Sequence, residues 1–250
     1  MTSPRRMLAV LDLFTQEHPV WAVDDMMTAL GYSRATGYRY VKELVDAGFL
    51  QKVTAGVYAL GGRIIALDYQ LRRTDPVLKA AIPAMEQLAH ATGFDVVLSV
   101  MFAGPQVIDT HRVKGAQQLA LTFGRGHPRP LFRSGAPKIL LAHLPRGPLT
   151  KIYDSHAKEI AANGMGEDWP AFRAYLSGVR KKGMYVSLGE LDPGVGAAAV
   201  AVHGIDGDVV AALAIVATEA GITALGELEL KVLLDGCVAH IEARLAETST

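Results

Sequence analysis

A tight turn between two helical segments is the feature that most restricts how this chain can fold. Apolar residues recur at helical spacing over 23–30 and again over 34–47, which predicts two short helices. Between them, Gly31 suits the left-handed residue that ends a helix, and Ser33 is a natural N-cap for the next helix. This arrangement is typical of a helix-turn-helix, whose second helix enters the major groove of DNA.

Two flanking segments extend this module. Apolar residues at helical spacing predict a helix from Arg5 to Thr15, upstream of the turn. Downstream, residues 49–53 and 57–60 have the pattern of two short strands around a turn at 54–56, which predicts a β-hairpin. A hairpin in this position supplies the wing of a winged helix-turn-helix.

Side chains able to contact DNA concentrate near the start of the predicted helix over 34–47 and on the wing. Arginine can donate two hydrogen bonds to guanine, threonine and tyrosine can reach bases or phosphates, and a wing lysine can neutralise a phosphate. The candidate DNA-binding residues are Ser33, Arg34, Thr36, Tyr38, Arg39, Lys42 and Lys52. A three-helix packing module with a solvated polar face is the alternative, because the chain has zero formal net charge and its charge does not demand nucleic acid.

The pattern changes near Pro76, which disfavours helical geometry at Asp75. Beyond it, helices alternate with β-branched strands, and short turns at 103–105 and 204–208 join strands into pairs. The predicted helices span 76–92, 135–144, 169–182 and 225–245, and the predicted strands span 95–102, 106–113, 184–188, 195–203 and 209–217. Paired neighbouring strands predict an antiparallel sheet flanked by helices, so the fold class is α+β.

We therefore expect a winged helix-turn-helix over 1–60, a linker helix over 61–75 and a second domain over 76–250. Because one winged helix makes few base contacts, specific binding usually needs two half-sites held at a fixed spacing. The apolar residues Ile64, Ile65, Leu67 and Leu71 of the linker, with the apolar first helix, offer a surface for a homodimer. Packing within one chain is the alternative explanation of this stripe.

Catalysis and cofactor binding find no support in the sequence. Phosphate-binding glycine loops, the nucleophile elbow and the zinc-protease motif are missing. The histidines have no metal-ligand spacing, and Ser134 lacks a nominated catalytic partner and is expected to cap a helix. We predict no catalytic residue, metal site or cofactor. With one cysteine, no signal-peptide pattern and no long apolar stretch, the chain is expected to be soluble and cytoplasmic, with no membrane partner.

Several motifs resemble the IclR family of bacterial transcriptional regulators, in the same order over nearly the whole chain. In the first part they are RMLAVL at 6–11, LGYSRATGYR at 30–39 and GVYALG at 56–61. In the second part they are SGAPKILLA at 134–142, GELDPGV at 189–195 and DGDVVAAL at 206–213. The resemblance implies a GAF-like second domain that binds a small effector against its sheet, and dimers that pair into a tetramer.

The resemblance also implies which residues surround the effector. Carried over position by position, the candidate effector-binding residues are Leu121, Phe132, Arg133, Gly135, Ala136, Ser187, Ala197, Ala214 and Val216. A helix that begins near Gly135 would direct free backbone N–H groups at a carboxylate. Phe132 could stack on an aromatic ring and Arg133 could pair with an anion. The alternative is that Phe132 belongs to the core and Arg133 faces solvent.

Departures from the family pattern bear on the class of ligand. Family members that sense small oxoacids tend to have an acid, a cysteine and two serines where this chain has Ser187, Ala197, Ala214 and Val216. An apolar wall cannot hydrogen-bond a small polar ligand, and burying one there would cost about 1–3 kcal/mol per unpaired polar group. We therefore expect a larger, partly apolar effector, such as an aromatic acid or its amide-like derivative.

The resulting hypothesis is a one-component transcription regulator whose partners are double-stranded operator DNA, a small organic effector and further copies of itself. The effector would act by favouring one spacing of the DNA-binding heads over another. Two alternatives stay open at this point. One is a small-molecule enzyme or carrier that its N-terminal domain dimerises, and the other is a protein-interaction module that uses the winged helix for docking.

Overall fold

The structure is a computed structural model that describes residues 2–102 and 105–248. Within it the chain divides into two compact units, over residues 1–74 and 75–250. Ala103 and Gly104, which the predicted turn at 103–105 includes, lie outside the described residues.

Short helices and a three-stranded sheet form the N-terminal unit. Its elements are α1 (Ser3–Leu8), a 3-10 turn (Leu11–Leu13), β1 (Val20–Ala22), α2 (Val23–Leu30), α3 (Arg34–Asp46), β2 (Leu50–Thr54), β3 (Val57–Leu60) and α4 (Arg63–Thr74). The strands run in the order β1-β3-β2 with antiparallel pairing. Buried side chains such as Val10, Met26, Tyr40 and Leu44 form the core that the helices share.

The turn between α2 and α3 has the predicted geometry. Gly31 ends α2 with φ 65° and ψ 35°, the left-handed conformation that glycine adopts without a steric penalty. The Ser33 hydroxyl accepts a hydrogen bond from the Thr36 N–H at 3.4 Å and so caps α3. The helix-turn-helix and the hairpin that follows it are confirmed.

The predicted first helix from Arg5 to Thr15 is wrong in its extent, since α1 ends at Leu8 and a separate 3-10 turn follows. After the 3-10 turn the chain reverses direction, and β1 pairs with β3. The sequence analysis missed β1. The Trp21 indole N–H then donates to the Leu13 carbonyl at 2.8 Å. The pairing of β1 with β3 and the hydrogen bond from Trp21 therefore outweigh the apolar periodicity that predicted a helix as far as Thr15.

A six-stranded antiparallel sheet organises the C-terminal unit, in the order β6-β5-β4-β9-β8-β7. The strands are β4 (Asp95–Phe102), β5 (Gln106–Val113), β6 (Pro128–Arg129), β7 (Tyr185–Leu188), β8 (Val195–His203) and β9 (Val209–Thr218). The helices are α5 (Pro76–Thr92), α6 (Gly135–Ala142), α7 (Arg146–Ala162), α8 (Trp169–Lys182) and α9 (Glu219–Thr248). The α+β class with an antiparallel sheet and flanking helices is confirmed.

Helices cover both faces of this sheet and give it two cores. Residues of α5 and α9 form one core with Ala198 and Val200 of β8, while α6, α7 and α8 form the other with Ala197 and Ala199. The alternation along β8 follows from the two-residue repeat of a strand. Small side chains on the α6 face let that helix lie close to the sheet, and a Cβ at Gly135 would come within 2.9 Å of the Ala199 Cβ.

Three elements differ from the predictions. The sequence analysis missed α7 and β6, and α9 begins six residues before the predicted start at Leu225. In α7 only Leu149, Ile152 and Ile160 are buried, so its apolar pattern is weak. The two residues of β6 are too few to show any alternation. Gly226 interrupts α9 with φ 72°, which explains why helical periodicity is seen only after this point.

We predict that Gly61→Ala destabilises the N-terminal unit, because a Cβ at this position would lie 2.2 Å from the Gly48 carbonyl oxygen. Backbone cannot move aside as a flexible side chain can, so a loss of about 1–3 kcal/mol in the free energy of unfolding is expected. Urea unfolding followed by Trp21 fluorescence in a Trp169→Phe background measures it. Gly62→Ala is the matched control, since a Cβ there meets no heavy atom within 4 Å. Equal midpoints for the two variants would contradict the prediction.

Candidate nucleic-acid interface and effector pocket

The exposed face of α3 carries most of the candidate DNA-binding residues. Burial alternates at helical spacing: Gly37, Tyr40, Val41 and Leu44 are buried in the core. The exposed candidates of this helix and its cap are Ser33, Arg34, Tyr38, Arg39 and Lys42, while Thr36 is half-buried. Lys52 is also exposed and lies on β2 of the hairpin. The N-terminal unit therefore gathers six of the seven candidates on one helix and its cap.

The guanidinium of Arg34 forms an ion pair with Asp24 of α2. Its Nε and Nη2 donate to the two carboxylate oxygens of Asp24 at 2.8 and 2.6 Å, although both side chains are mostly exposed. This hydrogen bond raises the pKa of Arg34 above its ordinary value. The sequence analysis missed this role for Asp24. Exposed ion pairs contribute only about 0–1 kcal/mol, so a phosphate or a guanine can replace the carboxylate at little cost.

The cap of α3 engages two further candidates. The Ser33 hydroxyl donates to the Thr36 hydroxyl at 2.9 Å and accepts from the Thr36 N–H. These contacts give both residues a structural role at the start of the helix, where it would meet DNA. Their contact with DNA stays a prediction.

Four of the nine candidate effector-binding residues meet at one small cavity of about 20 Å³ on the α6 side of the sheet. They are Leu121, Ser187, Ala197 and Val216. Gly135, Ala136 and Ala214 are buried near it in the same half of the unit without lining it. A cavity of this size holds about one water molecule, so the pocket is closed in this conformation.

Phe132 and Arg133 do not join this cavity. Phe132 is buried in the core and its ring lies 5.6 Å from that of His156. Arg133 is exposed and lines a separate open cleft of about 460 Å³ together with Lys138 and Glu190. The structure therefore agrees with the alternative given in the sequence analysis, in which Phe132 belongs to the core and Arg133 faces solvent.

Polar residues that the sequence analysis did not assign to the site also line the cavity, so its wall is only partly apolar. Arg129, Ser134 and Asp192 lie there beside Ser187. The Thr122 hydroxyl and N–H donate to the Asp192 carboxylate, which fastens the segment carrying Leu121 over the cavity. No sequence signal marks Arg129, because the prolines on either side of it leave no periodicity to follow.

A hydrogen-bonded network in the neighbouring open cleft reaches Ser134 at the edge of the cavity. The Lys138 ammonium, on a side chain that is 4% exposed, donates to Glu190 at 2.7 Å and to the Tyr185 hydroxyl at 2.7 Å. Glu190 also accepts from the Ser134 N–H at 2.9 Å. The prediction that the Ser134 side chain caps α6 is wrong, because Ser134 has φ 72° and its side chain makes no capping bond. Glu190 holds this strained residue in place instead.

The same network shifts two pKa values in opposite directions. Burial, with hydrogen bonds to Tyr175 and Glu190, raises the pKa of Tyr185, so its hydroxyl stays neutral. Burial alone would raise the pKa of Glu190, but hydrogen bonds from Lys138 and the Ser134 N–H outweigh it and lower that pKa. Glu190 therefore stays charged opposite Lys138.

Two kinds of feature do not occur in the part of the chain that the structure describes. Over residues 2–102 and 105–248, no three histidine, cysteine, aspartate or glutamate side chains are arranged to hold a metal ion. Among the helices within those same ranges, none has both the length and the apolar character needed to cross a membrane.

Comparison with family models matches both units. The model described as "Bacterial transcriptional regulator IclR C-terminal" matches residues 70–243, and the "IclR helix-turn-helix domain" matches residues 3–54. Together they span most of the chain.

Individual proteins similar to this chain are 20–27% identical to it. The HTH-type transcriptional regulator KipR of Bacillus subtilis is 27% identical over 141 residues, which are 56% of this chain and 55% of that protein. The regulator XynR of Escherichia coli is 23% identical over 215 residues, 85% of this chain and 84% of its own. An IclR homolog from Microbacterium hydrocarbonoxydans, crystallised with 4-hydroxybenzoate, has the same fold, with a TM-score of 0.74 and 20% identity over 98% of this chain and all of that one.

We predict that the C-terminal unit loses stability as the pH falls below about 4.5, the ordinary pKa of glutamate. Because the pKa of Glu190 is lower in the folded state, the unfolded chain binds its proton first, and the stabilisation disappears as the pH passes through the folded pKa. Urea unfolding followed by Trp169 fluorescence in a Trp21→Phe background, repeated from pH 7 to pH 3, measures this loss.

Glu190→Gln should make that decline shallower, and the exposed Glu229→Gln should leave it unchanged. A decline as steep in Glu190→Gln as in the unmodified chain would show that other groups cause it.

Proposed function

Since the chain belongs to the IclR family of transcriptional regulators, we propose that it binds double-stranded operator DNA through α3 and a small organic acid through the cavity of its C-terminal unit. The family comprises DNA-binding regulators with an effector-binding C-terminal domain and not enzymes. The two rival hypotheses, an enzyme or carrier and a protein-docking module, have no comparable support. We assign DNA binding to residues 1–60, dimerisation to 61–75 and effector binding to 76–250.

The observation that carries the DNA-binding proposal is the division of α3 into a buried face and an exposed cationic face. Arg34, Arg39 and Lys42 lie on the exposed face, and Tyr38 lies among them. Phosphate contacts by such cations set affinity, and bidentate arginine contacts to guanine set sequence preference. Lys52 on the hairpin supports an additional phosphate contact from the wing.

We predict that Arg39→Ala lowers the affinity for DNA taken from upstream of the protein's own gene. A single arginine contact to a base or phosphate is worth about 1–3 kcal/mol, and loss of a phosphate contact reduces the slope of log affinity against log salt by about one. Fluorescence anisotropy at several salt concentrations measures both quantities. Lys181→Ala is the control, because it removes an exposed cation from the other unit.

Two outcomes would contradict this part of the proposal. If Arg39→Ala has the affinity and salt slope of Lys181→Ala, then α3 does not contact DNA. If the unmodified chain forms no sequence-selective complex, with or without candidate acids, then the regulatory function itself fails.

The pocket supports an effector that combines an apolar body with an acidic group. Leu121, Leu191, Val195 and Val216 supply apolar wall, and the cavity also contains a cationic side chain. A relative of the same fold was crystallised with 4-hydroxybenzoate, a compound of that chemistry. Entry of such a molecule requires the segment with Leu121 to move away from Asp192, because the closed cavity is far too small.

We predict that an aromatic carboxylate such as 4-hydroxybenzoate raises the melting temperature of the protein. A ligand at about 100 times its dissociation constant stabilises the folded state by about 2.7 kcal/mol, which corresponds to several degrees. Differential scanning fluorimetry with aromatic and aliphatic carboxylates and their amides measures the shift. Ala197→Val should reduce it by narrowing the cavity, whereas Ala201→Val on the same strand should not. Equal shifts in the two variants would argue against this cavity.

Exposed apolar side chains on α4 support the proposed homodimer. The helix contains no buried residue, and its exposed apolar side chains form two pairs at helical spacing, Ile65 with Tyr69 and Leu67 with Leu71, of which Ile65 is 76% exposed. Covering these side chains with those of a second copy would remove them from water and fix the spacing of two recognition helices. Pairing of such dimers into a tetramer is part of the same proposal.

A further inference from the structure

Arg129 lies in the cavity in an unusual environment for a cation. It ends the two-residue strand β6, where it pairs with Val107 of β5, and its side chain is only 7% exposed. Arginine is rarely buried this deeply unless its charge and its N–H groups are met by partners. The residue lines the cavity together with Leu121, Ser187 and Val216.

One side of the guanidinium is fixed by a buried carboxylate. Nη2 of Arg129 donates to Asp109 at 2.8 Å, and the other carboxylate oxygen of Asp109 accepts from the Ser99 hydroxyl at 2.7 Å. Both Asp109 and Ser99 are buried. This arrangement holds the guanidinium in one orientation while using only part of its capacity to donate.

A second nitrogen of this guanidinium, Nε, has no acceptor. Among the buried side-chain nitrogen and oxygen atoms of residues 2–102 and 105–248, Nε of Arg129 alone has no hydrogen-bond partner. Buried donors are nearly always paired, and an unpaired one calls for an explanation. Asp192, which also lines the cavity, accepts from Thr122 on the segment that closes it and is not hydrogen-bonded to this Nε.

We infer that Arg129 binds the carboxylate of the effector, and that the site therefore selects anionic acids over their neutral amides and esters. The inference rests on the proposed function of this cavity as the effector site. Asp109 and Ser99 position the guanidinium, the free Nε donates to a carboxylate oxygen of the ligand, and the apolar wall contacts its hydrocarbon part. Arg133, the arginine that the family resemblance suggested, has no part in this contact.

The test compares one acid with its neutral isostere on matched variants. Isothermal titration calorimetry at pH 7 measures binding of 4-hydroxybenzoate and 4-hydroxybenzamide to the full chain, to Arg129→Gln and to Arg133→Gln. We expect the unmodified chain and Arg133→Gln to prefer the carboxylate by about tenfold or more, as a hydrogen bond to a charged group implies. Arg129→Gln should bind the two compounds equally.

Loss of Arg129 leaves Asp109 buried without its cation, which can impair folding. The double variant Arg129→Gln/Asp109→Asn replaces the ion pair by two neutral amides and keeps a hydrogen bond at this position. Its melting temperature, compared with that of the unmodified chain, reports whether it is folded. It should show the same loss of carboxylate preference as Arg129→Gln.

The outcomes separate the two proposals. If a variant without Arg129 keeps the preference for the carboxylate, or if the unmodified chain binds the amide as tightly, the inference about Arg129 is overturned and the effector site stands. If neither 4-hydroxybenzoate nor any other carboxylate of the panel binds the unmodified chain, the proposed acid effector fails along with Arg129.

Discussion

The ion pair between Lys138 and Glu190 is the interaction on which the backbone geometry around Ser134 depends. It joins the first turn of α6 to the segment before β8, and the neighbouring residues Ser134 and Leu191 line the cavity. Because the Lys138 side chain is only 4% exposed, removing Glu190 would leave its charge in a poorly solvated site, which costs several kcal/mol. The pair also explains how Ser134 keeps a left-handed backbone conformation, since Glu190 accepts its N–H. The hydrogen bond from the Ser134 N–H to the charged Glu190 thus offsets the backbone strain at Ser134.

Local signals were sufficient to predict much of the fold. The bounds of α2, α5, α8, β4, β5 and β8 agree with the predictions because each element has clear periodicity and a cap or turn at its ends. The elements that were missed lack such signals. In α7 the buried residues are few, β6 is two residues long, and β1 depends on pairing with a hairpin that lies more than thirty residues further along the chain.

The candidate site could be predicted only in part, and the two arginines of the 129–133 segment show why. Both lie between a loop and α6, and nothing in their neighbours indicates which one turns inward. Arg129 is oriented by Asp109, a partner 20 residues away on another strand, whereas Arg133 is exposed and has no comparable carboxylate partner among residues 2–102 and 105–248. Side-chain direction outside periodic elements is decided by tertiary contacts. The strand positions Ser187, Ala197 and Val216 were expected from the family resemblance, and in the structure all three line the small cavity.

The contact between Thr122 and Asp192 has a consequence for how sensitive such a sensor would be. While it is made, the cavity holds no more than a water molecule, so an effector that uses this cavity, as we propose, would bind only to the fraction of molecules in which the contact has opened. The apparent dissociation constant is then the intrinsic one divided by that fraction. Strengthening or weakening this single contact would move the concentration at which the protein responds without altering which compounds it recognises. Evolution could in this way retune the threshold of a regulator and leave its chemical selectivity intact.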